Sequence, residues 1–250
     1  MTLVKDLHAL ARKGRSSDLA RFYKTGPGEY GEGDLFIGVI VPDTRLVAKK
    51  YIDLPFVDLE KIIASPIHEE RLCGLIILTL RYKRDKDAQT RKKIFAFYVK
   101  MLRAGHVNNW DLVDVSAPII GDYLISDPGH IELLEKLSRS KNLWQRRTAM
   151  VFTFAFLRKG ITGPTVVIAE NLLEDSHDLI HKAVGWMLRE MGKRDPYLLR
   201  SFLKENASYM PRTALRYSIE RLPESERKRW LAIKPSSRSD LRSSPLTKRR

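Results

Sequence analysis

The sequence predicts an all-α protein, and three observations carry that expectation. Apolar residues recur at three- and four-residue spacing in segment after segment, punctuated by Pro, Gly, Ser and Asp. No period-two run bounded by hairpin turns occurs. Helix-start signals stand where periodic segments begin: Asp195 before Pro196, Ser65 before Pro66, and Asn142 with Gln145 at capping-box spacing.

The elements follow in order. Short helices are expected at 3–13, 16–24, 43–52 and 57–64. The first carries no long apolar core and no small-residue cleavage site, so it does not read as a signal peptide. Between the second and third lies Gly26-Pro27-Gly28-Glu29-Tyr30-Gly31, which matches a dinucleotide-binding spacing. It follows a helix rather than a strand, and Glu29, Glu32 and Asp34 would repel phosphates, so the segment reads as a mobile turn. Helix 66–82 holds the single cysteine, Cys73, inside the apolar run Leu72–Leu80. One thiol permits no disulfide framework and suits a reducing cytoplasm. Helices 87–103, 109–126 and 130–139 come next. Helix 143–159 is apolar nearly all round, as a buried central helix would be. Helices 163–172, 177–192, 196–205 and 211–221 follow, with a last turn near 224–231. No apolar stretch approaches the length of a membrane span.

Starts near 66, 109, 143 and 177 lie 34 to 43 residues apart, close to the period of helical repeats such as HEAT. A helix pair cannot bury its apolar face alone, so the expected architecture is an α-α superhelix, a solenoid with a concave surface. One domain is expected over residues 1–231, followed at 232–250 by a polar, Ser-rich, basic tail expected to be disordered. The chain carries 45 Lys and Arg against 30 Asp and Glu, a net charge of +15. That field favours polyanions, either nucleic acid or an anionic membrane surface, with a merely soluble basic protein as the competing reading; DNA is expected as the main partner of a concave basic groove.

Residues that break the pattern of their helix are the candidate functional ones. On helix 177–192, Ile180, Ala183, Val184, Met187, Leu188 and Met191 form one stripe. Trp186 points about 130° from its centre and shares the outer face with Lys182, Arg189 and Lys193, a setting that suits contact with nucleic acid. A tryptophan covered by the next repeat is the competing reading. On helix 143–159, Arg147 shares the stripe of Leu143, Met150, Val151 and Phe154, and Arg158 falls on that side three turns on. A guanidinium there needs an anionic partner, either a nearby acid or a phosphate. Trp110 and Asp114 are four apart and so share a helix face. An indole beside a carboxylate can receive a positive charge; a solvent-facing acid near a helix start is the alternative. His177 and His181 are also four apart but lack an evident third ligand, so no metal site is expected, and no cofactor either.

Together, these residues give the chain a likeness to a known family. It resembles the AlkD-like family of DNA alkylation repair proteins, monofunctional DNA glycosylases built from HEAT-like repeats. The resemblance runs from about Leu19 to Leu222 and rests on ARFYKTGPGEYGEGDLFIGV (20–39), NNWDLVD (108–114), NLWQRR (142–147) and KAVGWMLRE (182–190). It implies that Trp110 and Trp186 are the groove tryptophans, Arg147 the groove arginine holding a phosphate, and Asp114 the catalytic carboxylate. The activity it implies is excision of N3- or N7-alkylated purines from double-stranded DNA, without a base pocket. Such purines are cationic and already good leaving groups. One carboxylate can stabilise the oxocarbenium-like sugar and place a water, and no general acid is needed. The Gly-rich acidic segment 26–34 is present in some members only. Two other readings stay open: a non-catalytic binder of damaged or branched DNA, and a HEAT-type scaffold for peptides. A cytoplasmic, nucleoid-associated monomer that engages no membrane is expected.

Overall fold

The computed structural model describes residues 2–236, and among these every regular element is helical. The chain divides into two compact units, Met1–Asp127 and Pro128–Arg250.

The first unit is built around α5. In chain order it contains α1 (Thr2–His8), α2 (Arg15–Phe22), α3 (Val41–Lys50), α4 (Phe56–Ile63), α5 (His68–Arg84), α6 (Ala88–Arg103) and α7 (Trp110–Ile120), which passes into a 3-10 helix at Gly121–Ser126. Helices α3, α4, α6 and α7 all pack on α5. Its Leu72, Leu75, Ile76, Ile77 and Leu78 are buried, with Cys73 among them, where burial pushes the thiol up to about 12. Helix α5 begins at His68, two residues later than Ser65-Pro66 suggested, because the Ser65 hydroxyl accepts from Ile67 N at 3.1 Å and holds a turn rather than capping the helix. Helix α7 ends at Ile120 instead of running to 126. Pro118 lies inside it and has no N–H for the carbonyl four residues back, and the 3-10 helix takes over at Gly121.

The second unit contains α8 (His130–Ser138), α9 (Leu143–Arg158), α10 (Gly163–Leu172), α11 (Asp178–Gly192), α12 (Pro196–Asn206), α13 (Arg212–Ser218) and α14 (Glu224–Leu231). Helix α9 is the central one, packed by α8, α10 and α11, and Ala149 to Phe152 and Ala155 to Leu157 are buried. Its cap is Asn142, whose side chain accepts from Trp144 N at 2.8 Å and Gln145 N at 3.2 Å. Asp195 caps α12 by accepting from Leu198 N at 2.8 Å. Helices α11 and α13 approach closely at Gly185, where a Cβ would meet Tyr217 Cβ at 2.4 Å and the Ala214 carbonyl at 2.6 Å.

Residues 232–236, the first part of the segment expected to be a tail, make contacts with the second unit. Arg212 donates to the carbonyls of Leu231 and Ile233, and Ser236 N donates to Ser208 O at 2.7 Å, so residues 232–236 are tied to the unit. Residues 237–250 lie outside the described residues. No described helix is long and apolar enough to cross a membrane.

Candidate nucleic-acid interface

In the first unit, Asn109 sets the start of α7. Its side chain accepts from Trp110 N at 2.8 Å, and its amide donates to Asp34 Oδ2 at 3.1 Å. Trp110 and Asp114 then fall one helical turn apart, both half-buried, while Leu112, Val113, Ser116 and Ala117 fill the core side. The structure therefore brings this sequence-read pair onto one partly accessible face. Trp110 is not alone there. The Tyr23 ring stacks on it at 5.5 Å with an 18° tilt, and the exposed Phe22 meets its edge at 6.0 Å.

Behind these rings is a buried polar network. His68 Nδ1 lies 3.0 Å from Asp34 Oδ2, and its Nε2 lies 2.9 Å from Asp111 Oδ2. Arg71 donates to Asp34 Oδ1 at 2.5 Å, and the Tyr23 hydroxyl donates to Asp111 Oδ2 at 3.0 Å. Burial opposes charge on His68, but Asp111 and Asp34 win and raise it above its ordinary value. Burial likewise opposes charge on Asp34, and the hydrogen bond from His68 and the Arg71 guanidinium hold it below the usual carboxylate range. Tyr23 is pushed up by burial and by the Asp111 charge. Close by, Glu69 accepts from the backbone N–H groups of Ile37, Gly38 and Val39, with Gly38 nearest at 2.8 Å.

The Gly-rich segment forms a run of turns between α2 and α3, as its composition suggests, held by hydrogen bonds of its own. Glu29 and Glu32 accept from the backbone N–H groups of Gly26 and Gly28, at 3.0 and 2.9 Å. Gly31 N donates to Lys24 O, and a Cβ at Gly31 would sit 2.2 Å from the Tyr23 carbonyl. Leu35 forms an isolated bridge with Ile67, and Asp34 is buried. The acids that would repel phosphate in an open loop are occupied by this chain's own donors.

In the second unit, the apolar stripe of α11 is buried as expected, and Trp186 is half-buried off it. Its ring lies 6.0 Å from that of Phe154, and the exposed Arg158 places its guanidinium 5.8 Å over the other ring of that pair, Phe154. Arg158 and Trp186 are therefore joined through a residue the sequence placed on the core stripe. The cations sharing Trp186's face are compensated. Lys182 pairs with Asp178 at 2.8 Å, Lys193 with Glu190 at 2.6 Å, and Arg189 with Glu220. Arg147 is buried, 4% exposed, and donates through Nη1 to the Leu179 carbonyl at 2.5 Å. His177 caps α11 by accepting from Leu179 N at 3.1 Å, and His181 Nε2 lies 2.5 Å from the Asp175 carbonyl, so this pair has structural work.

The model of the family described as DNA alkylation repair enzyme matches residues 3–222. The chain belongs to that family. Membership places it in DNA alkylation repair, as an enzyme whose substrate is DNA. No curated protein matches it in sequence. A solved structure titled "Predicted DNA alkylation repair enzyme from Enterococcus faecalis" is similar with a TM-score of 0.65, at 16% identity, over 86% of this chain and 97% of that one. At that identity the likeness supports the all-helical fold. Within this DNA alkylation repair enzyme, the residues that sequence reasoning missed are Tyr23, Asp34, His68, Arg71, Asp111 and Phe154. A signal for two of them was present: His68 and Asp111 stand at helix starts.

Proposed function

We propose that the chain is a DNA glycosylase that hydrolyses the N-glycosidic bond of cationic N3- or N7-alkylated purines in duplex DNA. The observation that carries this reading is the pairing of Trp110 and Asp114 one turn apart on the half-buried face of α7, in a chain of the DNA alkylation repair enzyme family. An alkylated purine leaves as a neutral base, so the positive charge develops on the deoxyribose. Asp114 is the catalytic residue in this reading: its carboxylate stabilises that sugar cation and orients the attacking water. Partial burial strengthens such an interaction relative to one in bulk water. The Trp110 ring face favours a cationic nucleotide beside it. Arg158, Trp186, Lys182, Arg189 and Lys193 are assigned to DNA contact in the second unit, and the buried Arg147 to holding α9 against the start of α11 behind them. Among these, the Trp186, Phe154 and Arg158 cluster has the half-accessible aromatic and exposed cation that a DNA backbone takes. The three paired cations give up a surface ion pair of small worth when a phosphate replaces the carboxylate.

Single-turnover release of 7-methylguanine and 3-methyladenine, by the wild type and Asp114→Asn at equal saturation, tests the proposal. The variant should lose about 10²-fold in rate, the size seen when one preorganised electrostatic group is removed. Its DNA affinity should hold or rise slightly. Equal rates would take Asp114 out of the mechanism, and absence of release by the wild type would leave a non-catalytic DNA binder.

A further inference from the structure

The buried network behind Trp110 is larger than core packing needs. His68 has both ring nitrogens within hydrogen-bond distance of carboxylates, on different parts of the chain. Each acceptor already receives from other donors: Asp34 from Arg71 and Asn109, Asp111 from Tyr23 and, through Oδ1, from Leu112 N at 2.8 Å. A neutral imidazole carries one N–H and would face one carboxylate with a bare lone pair. Only the imidazolium satisfies both contacts. The ring also stands against those of Tyr23 and Phe36, each 4.7 Å away and 5.1 Å from one another, aromatic neighbours that favour a cation.

From His68 a chain of contacts leads to the candidate site. Asp111, in the first turn of α7, accepts from both His68 and the Tyr23 hydroxyl. The Tyr23 ring in turn stacks on Trp110. The other end of the bridge is Asp34, the last acid of the Gly-rich segment. We infer that His68, bridging Asp34 and Asp111 as an imidazolium, is a positioning residue that holds Tyr23 and Trp110 in register, and that the Gly-rich acidic segment serves to supply the bridge with its second carboxylate. The role in excision rests on the function proposed above; the protonation of His68 and its coupling to Trp110 do not.

The charges around His68 set the direction of its pH dependence. From the Gly-rich segment comes Asp34, from α7 Asp111, and from its own helix Arg71; Tyr23 is neutral at physiological pH. Glu69 is turned to the backbone of residues 37–39, and Glu70 pairs with His8 at 2.7 Å. Two facing carboxylates against one facing guanidinium favour the imidazolium, in line with its raised titration. As pH rises through that raised value, one carboxylate loses its donor, the bridge opens and the Tyr23–Trp110 stack loosens.

Two measurements on the full chain test this. Imidazole nitrogen NMR, with His68 assigned by His68→Gln, should show both ring nitrogens protonated below a midpoint that lies above 6.5. The Trp110 indole resonance, assigned by Trp110→Phe, should shift with the same midpoint in the wild type and stay flat in His68→Gln. Release of 7-methylguanine by the wild type should fall across that midpoint, and His68→Gln should be slower by about tenfold at pH 6.5, the scale for stranding one buried polar group. If His68→Gln does not fold, Tyr23→Phe removes only the hydroxyl. It should slow release several-fold while leaving affinity for undamaged duplex unchanged. A His68 midpoint at or below 6.5, or a Trp110 resonance indifferent to its titration, overturns the inference whether or not the chain excises bases. A wild type that releases no base, with both NMR results as expected, refutes the glycosylase reading and leaves the positioning bridge standing.

Discussion

Replacing Arg147 with alanine separates two roles that the sequence could not. Read as a groove residue, Arg147 should be removable at little loss of stability. Its surroundings argue otherwise: it is 4% exposed on the central helix α9 and gives a charge-assisted hydrogen bond to the Leu179 carbonyl at the start of α11. Losing a hydrogen bond from a charged donor costs about 1.5–3 kcal/mol. Deleting the packed side-chain stem adds roughly 1 kcal/mol or more. The sum is about 3 kcal/mol, which for a chain of this length lowers Tm by roughly 6–12 °C. Urea unfolding followed by circular dichroism measures it, with the midpoint shifting at constant slope. Arg147→Met keeps much of the stem and should recover part of the loss. If Arg147→Ala unfolds within about 0.5 kcal/mol of the wild type while DNA binding falls, the side chain holds no structural contact of consequence and the burial argument is wrong.

Three further outcomes follow from the same contacts. Gly185→Ala should destabilise by about 1–3 kcal/mol, because α11 and α13 must part to admit a methyl group 2.4 Å from Tyr217 Cβ; an unchanged urea midpoint would contradict that approach. The stability that His68 contributes should be complete below its ordinary value of 6.5 and be lost as pH rises through its raised folded value. That of Asp34 should be present above 3.8 and be lost as pH falls through its lowered one, so His68→Gln should flatten the alkaline limb of a stability–pH curve only. DNA binding should weaken with salt at a log–log slope of about −4 to −5 for roughly 5 phosphate contacts, and truncation after Ser236 should lower non-specific affinity; a salt-independent Kd would contradict electrostatic binding.

What was legible in the sequence has a common physical basis. Helix positions, the buried stripe of α11, the central place of α9 and the caps at Asn142 and Asp195 all follow from signals within a few residues of each other. So does the shared face of Trp110 and Asp114, which needs only the helical repeat. What the helical repeat does not name is the partner of each cation. Lys182 and Lys193 pair with Asp178 and Glu190 about one turn back, whereas Arg189 finds Glu220, 31 residues away. A charge count cannot distinguish a solvated cation from a paired one.

The Gly-rich segment is the sharpest case, and it bears on function. Composition alone makes residues 26–34 a loop, and three acids make it a poor neighbour for phosphate. What that reading does not contain is the pairing of Asp34 with His68, Arg71 and Asn109, 34, 37 and 75 residues away. No periodicity encodes such a cluster, because its members come from three separate stretches of the chain: the Gly-rich segment with Asp34, the start of α5 with His68 and Arg71, and the start of α7 with Asn109 and Asp111. Burying two carboxylates is unfavourable unless cations and hydrogen bonds meet them. The network supplies a guanidinium, an imidazolium, an amide and a phenol, so the burial is compensated in one arrangement of the segment only. Displacing Asp34 would leave Arg71 without its carboxylate and His68 with Asp111 alone. That shared dependence is a means of fixing where Tyr23 and Trp110 stand, which apolar packing of the same rings would leave free to slide.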